Sequence, residues 1–291
     1  MIAGEGGGPP VSRPHASVAL AAFVEAAKPR FERDGPEAIW ACRDDFARLL
    51  RTSFVSEVVA WDLRSVLACP TDVIRDSSRF SWSLHRDPAF ELNVIPIAAA
   101  ADRIDYLYGS AQHRLLAALH PARVALYRHT SPHPPEVFDR TVVLSPAGES
   151  ELGDGEVLEL RAWRDVCDPL PAASSSYLIE LSSAPVDRVR WTYDRATLVP
   201  HTPTPANRAS NLIEFAVWAL VELGHPDALA ALARVAEHPS HHVRWTALRA
   251  AVEVDPAAAL PLLEAATDDP HPHVRSAARR GLDRLRPGGE S

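Results

Sequence analysis

The sequence predicts an α+β protein in three successive parts: N-terminal helices, an antiparallel β domain in the middle, and paired helices at the C-terminal end. Three observations support this prediction. Apolar side chains in the first part have helical spacing, the middle consists of short apolar runs between turn residues, and a segment near the end recurs after 31 residues. Because helices and strands are segregated along the chain, we expect an antiparallel sheet, not βαβ units.

Composition limits the classes of function. An apolar content of 46% is enough for a buried core, and a length of 291 residues suits one large or two ordinary domains. The net charge of −8 argues against a broad nucleic-acid interface and against docking on an anionic membrane. Apolar runs are all too short to cross a bilayer. We therefore expect neither nucleic acid nor membrane among the partners.

Residue usage suggests a cytoplasmic bacterial protein. The cysteines, Cys42, Cys69 and Cys167, are few, odd in number and far apart, which predicts reduced thiols and no disulfide partner. Lys28 is the only lysine, and heavy use of arginine and alanine is typical of a GC-rich bacterial genome. Residues 1–10 are rich in Gly and Pro and lack the apolar run of a signal peptide, so we expect a disordered leader.

Residues 11–75 are predicted to form helices, over Ala16–Ala27, Pro36–Arg51 and Phe54–Leu67. In the second of them Ile39, Phe46 and Leu50 share one face.

Residues 76–199 are predicted to form the β domain, a small antiparallel barrel or sandwich. A hairpin over 80–97 opens it, with a turn at Asp87-Pro88. A helix is expected over Ala101–Leu119. Five further strands follow: Val124–Tyr127, Thr141–Leu144, Val157–Trp163, Tyr177–Leu181 and Val189–Tyr193.

Residues 200–206, with three prolines, are predicted to be a linker without regular structure. Helical repeats are expected over 207–286 and a frayed tail over 287–291. The predicted helices are Asn207–Leu223, Asp227–Glu237, His241–Val254, Ala257–Ala266 and Pro272–Leu285.

The C-terminal repeats resemble a known repeat family. The stretch Asp269 to Leu282 has the pattern Asp-Pro-x-x-x-Val-Arg-x-x-Ala-x-x-x-Leu, and His238 begins a looser copy. This pattern is similar to HEAT or HEAT-like repeats of the phycobilisome-lyase type. The resemblance implies a stack of helix pairs, and stacked arrays of this kind mostly present surfaces to partners. It also implies that Arg244 and Arg275 bond between repeats and that alanines lie at close-packing positions.

The middle domain weakly resembles a degenerate cupin or jelly roll. The grounds are the run of short strands and the Gly153-Asp154-Gly155-Glu156 turn before a strand. In metal-bearing cupins a His-x-His pair, a glutamate and a later histidine bind the metal. His129, His133 and Glu136 could supply three ligands to one divalent transition metal, although no histidine occurs where the later one should fall. The same stretch could equally be an ordinary proline-rich connection.

A second candidate site lies at the start of each repeat. Its residues are predicted to bind a partner: His241, His242, Arg244, Trp245, His271, His273 and Arg275. Trp245 stands out because the equivalent residue of the next repeat is Ser276, so the repeat itself does not require a large ring there. The histidines could instead cap helices or bind metal, and Trp245 could instead cover a junction with the middle domain.

Two functions therefore remain open. The first is a scaffold that binds a partner protein through the repeats, as an accessory to a bacterial pathway. The second is a metal-dependent cupin-like enzyme, an oxygenase or isomerase, whose repeats position the substrate. No catalytic residue is predicted, since the chain lacks the G-x-S-x-G motif and a phosphate-binding loop.

Overall fold

The computed structural model describes residues 16–68, 81–97, 103–129, 133–171, 176–206 and 208–285. The predictions for residues 1–10, 287–291 and Cys69 lie outside them. Two compact units form, the first from residues 1–132, 140–187 and 191–202, the second from 133–139, 188–190 and 203–291. N-terminal helices, antiparallel sheets and C-terminal helices follow one another, so the predicted α+β class is confirmed.

Helices open the first unit: α1 Val18–Asp34, a 3₁₀ helix Gly35–Cys42, α2 Arg43–Leu50 and α3 Phe54–Ala68. The Ser17 hydroxyl accepts a hydrogen bond from the Leu20 backbone (3.4 Å) and so caps α1. Gly35, with φ of +63°, ends that helix in a conformation that suits glycine. Phe31 stacks on Phe90 with ring centroids 4.9 Å apart, so helix and strand side chains share one core.

Eleven strands occur in the described residues, listed here in chain order: β1 Trp82–Arg86, β2 Phe90–Pro96, β3 Tyr106–Tyr108, β4 Arg114–Ala118, β5 Ala122–His129, β6 Leu144–Leu152, β7 Leu158–Leu160, β8 Asp165–Pro169, β9 Tyr177–Ser183, β10 Val189–Asp194 and β11 Pro200–Pro205. They form three sheets with the orders β1-β2-β9-β4-β7, β11-β10-β3 and β6-β5-β8. Within the described residues these sheets do not close into one barrel.

Two predictions for this region are wrong. The helix expected over Ala101–Leu119 is replaced by β3 and β4. Strand β4 lies inside a sheet between β9 and β7, and four of its five residues are buried, so it shows a continuous apolar run instead of alternation. The linker expected over 200–206 contains β11, which tolerates its prolines because it lies at a sheet edge.

The repeats lie in the second unit. Its helices are α4 Arg208–Glu222, α5 Ala228–Val235, α6 His241–Val254, α7 Pro256–Ala266 and α8 Pro272–Leu285. We call α5–α6 the first repeat and α7–α8 the second. Each repeat buries a valine and an alanine of its second helix, Val243 and Ala247 in the first and Val274 and Ala278 in the second. None of the described helices has the length and apolar character that a membrane span requires.

Candidate functional site

An ion pair joins the two repeats. The Arg244 guanidinium donates to both carboxylate oxygens of Asp269, at 2.8 and 2.6 Å, and to the carbonyl oxygens of His238 and Pro239 at 3.0 Å. Both charged side chains are largely buried, with 11% and 7% of their surface exposed. Burial raises the pKa of Asp269, but the hydrogen bonds from Arg244 and the His271 backbone outweigh it and hold that pKa below its usual value. Arg244 therefore bonds between repeats, as the family resemblance implied.

Arg275, the equivalent residue of the second repeat, is bonded differently. Its guanidinium donates to the carbonyl oxygens of Asp269 and Pro270, at 2.6 and 2.9 Å. No carboxylate in the described part of the chain is in an ion pair with it. It secures the loop that precedes its own helix and does not reach another repeat.

Four of the predicted residues form what we call the histidine cluster: His241, His242, His271 and His273. The rings of His241 and His271 stack in parallel with centroids 3.7 Å apart. His242 lies 5.4 Å from His241, and His273 lies 5.2 Å from His271, centroid to centroid. The starts of α6 and α8 therefore bring together residues that are about 30 positions apart in the sequence.

Glu136 lies against this cluster within the same unit. The His271 Nε2–H donates to the Glu136 carbonyl oxygen at 2.8 Å, and His241 Nδ1 is 3.9 Å from a carboxylate oxygen of Glu136. Arg188 approaches the same carboxylate at 3.7 Å. Glu136 thus contacts the repeats through both its backbone and its side chain.

Burial favours the neutral form of two imidazoles of this cluster, His241 and His242. Burial first, and nearby positive groups second, lower the pKa of His241 to about 3 and that of His242 to about 4. The buried Nδ1 atoms of His241, His242 and His271 have no hydrogen-bond partner among the residues that the structure describes. Only His273 in the cluster is exposed, so most of these imidazoles offer little surface to a partner.

Trp245 lies in a groove instead. The groove has a volume of about 530 Å³ and is bounded by α6 and α8, with Leu263 of α7 between them. Its floor consists of Trp245, Leu248, Val252, Leu263, Ala277, Gly281 and Leu285. Its rim carries the charged side chains of Arg249, Glu253, Arg280 and Arg284. Trp245 and Gly281 are among the groove residues that differ from their counterparts in the other repeat, Ser276 and Ala250.

The residues of the predicted metal site have other contacts. The His129 ring stacks on Trp163 at 4.2 Å between centroids, and its Nε2 is 2.6 Å from the Tyr193 hydroxyl. His133 Nε2 donates to the Val137 carbonyl oxygen. No group of three or more His, Cys, Asp or Glu side chains is arranged to hold a metal in the described residues. A metal bound by His129, His133 and Glu136 therefore stays a prediction from the sequence.

Comparison with known proteins identifies the repeats. The family model of HEAT repeats matches residues 208–283, which covers α4 to α8 almost completely. The search of curated proteins gave no match.

Several solved structures have a distant likeness to the chain. A hydroquinone 1,2-dioxygenase, PnpCD, is 12% identical over 38% of this chain and 68% of its own, with a TM-score of 0.28. A sugar phosphate isomerase of the cupin superfamily from Silicibacter pomeroyi is 8% identical over 40% and 68%, with a TM-score of 0.23. A vicilin from Capsicum annuum is 14% identical over 43% and 33%, with a TM-score of 0.26. Because these TM-scores are low, the description of the β domain rests on its own three sheets.

Proposed function

We propose that this protein binds another protein and that the groove beside Trp245 is the binding site. The HEAT-repeat match supports the general role, because such repeats commonly present surfaces to partner proteins. The groove supports the specific proposal, because its floor is apolar and surrounds a partly exposed tryptophan. A scaffold role, as an accessory to a bacterial pathway in the cytoplasm, belongs to the same proposal.

The size and lining of the groove suit a protein ligand. Its volume of about 530 Å³ lies within the roughly 300–1,000 Å³ typical of binding clefts. Tryptophan is among the residues most enriched where binding energy concentrates, and its truncation there costs about 2 kcal/mol or more. That cost corresponds to an affinity loss of about 30-fold.

The buried members of the predicted partner-binding set have another role in this proposal. Arg244 is 9% exposed and His271 is 6% exposed, so neither can contribute much contact area to a partner. Their hydrogen bonds to Asp269 and Glu136 instead fix the positions of α6 and α8. These residues would support the groove, and Trp245 would contact the partner.

The test selects peptides from a random 16-residue display library on the intact protein and measures the affinity of the selected peptides. Trp245→Ser introduces the residue that the second repeat carries, and it should weaken binding by about 30-fold. Phe215→Ser is the matched control, because it removes an aromatic side chain on α4 that is 74% exposed and outside the groove. Circular dichroism and Tm establish that both variants fold. Selected peptides that bind Trp245→Ser as tightly as wild type, or a selection that yields no binders, would refute the proposal.

A further inference from the structure

The rim of the groove has a charge opposite to that of the whole chain. The chain carries a net charge of −8, whereas the rim has three arginines, Arg249, Arg280 and Arg284, and one acidic residue, Glu253. All four of these side chains belong to exposed residues. A cationic rim around an apolar floor therefore stands out on an acidic protein.

Within the described residues these arginines have no ionic partner, in contrast with Arg244. The Arg249 guanidinium lies 5.4 Å from the centroid of the Trp218 ring, and the Arg280 guanidinium donates to the Ser276 hydroxyl at 2.6 Å. Across the described ranges, no carboxylate is in an ion pair with Arg249, Arg280 or Arg284. Their guanidinium groups remain available to a ligand, and guanidinium matches carboxylate in geometry and charge.

The secondary structure of the ligand follows from that of the groove. Its walls are two α-helices, whose backbone N–H and C=O groups are paired within the helices except at their ends. Such walls offer no strand edge to which an extended peptide could add. Among the common ways to bind a peptide, a helix that places its apolar face in the groove suits an apolar floor between two helices.

Building on the proposed function, we infer that the partner presents an acidic amphipathic helix. Apolar side chains at helical spacing would occupy the floor beside Trp245, Leu248 and Leu263. Aspartate or glutamate on the flanks of that helix would reach Arg280 and Arg284 on one side and Arg249 on the other. A nucleic acid, the other common polyanion, would leave the apolar floor empty.

The experiment uses the peptides selected on wild-type protein. Those peptides should carry net negative charge and have apolar residues at i, i+3 or i+4, and i+7. The double variant Arg280→Glu/Arg284→Glu should bind such a peptide more weakly by up to about 25-fold, since each lost or reversed exposed pair changes affinity by up to about fivefold. Raising the salt concentration should weaken wild-type binding and have less effect on the double variant.

Two controls isolate the rim charges. Arg279→Glu reverses one arginine charge on α8 at an exposed residue outside the groove, and it should bind like wild type. A peptide with lysine in place of its acidic residues should prefer the double variant over wild type. This reversal of preference cannot result from damage to the fold.

The outcomes separate this inference from the proposed function. Neutral or basic peptides that lose affinity with Trp245→Ser would overturn the inference and leave the proposed function standing. Equal affinity of the acidic peptide for wild type and for the double variant would overturn it as well. Peptides that are indifferent to Trp245→Ser would overturn both.

Discussion

The two repeats of the second unit share their packing positions and differ where the groove forms. Val243 and Val274 are equivalent, as are Ala247 and Ala278, and all four side chains are buried. The differences occur at Trp245, where the second repeat has Ser276, and at Gly281, where the first repeat has Ala250. Trp245 lines the groove from α6, and Gly281 lines it from α8. The shared valines and alanines therefore pack the stack, and Trp245 and Gly281 help to shape the surface that we propose for binding.

Replacing the equivalent arginines, Arg244 and Arg275, should give the largest difference in stability between the repeats. Arg244→Ala would leave the buried Asp269 without its ionic partner, and we expect a loss of about 3–5 kcal/mol of unfolding free energy. Arg275→Ala removes bonds to two carbonyl groups only, so its loss should be about 1–3 kcal/mol. Urea unfolding, together with hydrogen exchange of α6 and α8, measures the loss of unfolding free energy in each variant. Equal losses would mean that the ion pair does not set the first repeat apart.

The close-packing alanines should show that the repeats are alike in their core. Ala247→Leu and Ala278→Leu each place a larger side chain where the alanine is fully buried, and each should cost about 1–3 kcal/mol. Urea unfolding measures the two losses side by side, and Ser276→Leu at an exposed position of α8 serves as the control. A near-neutral effect at one of the alanines would show that the repeats are packed differently there.

Histidines at equivalent positions should respond differently to pH. The folded pKa of His242 is about 4, below its ordinary 6.5, because the ring is buried. Between these values the unfolded chain binds a proton that the folded unit does not, so stability falls as pH is lowered from 6.5 toward 4. His242→Gln should flatten this dependence by at most about 1.4 kcal/mol per pH unit.

His273→Gln is the matched variant, because its ring is exposed to water. We expect a smaller change in the slope of stability against pH, measured by urea unfolding between pH 4.5 and 7.5. Identical slopes for wild type and His242→Gln would show that His242 does not titrate across this window in unfolding.

Gly281→Ala has the smallest expected effect and separates stability from binding. The new methyl group would meet Leu263 at 3.6 and 3.7 Å, which is ordinary contact, and alanine is the better helix former by about 0.5–1 kcal/mol. The variant should therefore be slightly more stable. Because it narrows the floor of the groove, it should also bind selected peptides severalfold more weakly. Selected peptides that bind this variant and the wild type equally well would place the ligand elsewhere.

The sequence predicted the repeats well because recurrence in register constrains a fold more strongly than local preference does. Matching residues 31 positions apart, such as Val243 and Val274, fixed the positions of α6 and α8. The segment 101–119 had only local signals. Leu115 and Leu119 have helical spacing, but β4 is buried in the middle of a sheet, and its neighbouring strands decide its conformation.

The candidate site was predicted in part. Trp245 was recognisable as a departure from the repeat, and the histidines were expected at the starts of stacked helices. The groove was not predictable, since it requires Trp245, Leu263 and Leu285 to meet from three helices. The contacts of Glu136 were also missed, because only folding shows that residues 133–139 lie against α6 and α8. Sequence spacing offers no signal for such long-range contacts.

The Arg244–Asp269 ion pair links the first repeat to the second through residues that the two repeats do not share equally. Each repeat has an arginine early in its second helix, and the acceptor for the arginine of the first repeat is an aspartate of the second. The position equivalent to Asp269 in the first repeat is His238, which cannot accept a bidentate guanidinium pair. If a third repeat were added by design, with an aspartate 31 positions beyond Asp269, Arg275 could form the same ion pair with that aspartate. The arginines of the first two repeats would then each pair with an aspartate of the next repeat along the chain, so the array could be lengthened by design after its second repeat.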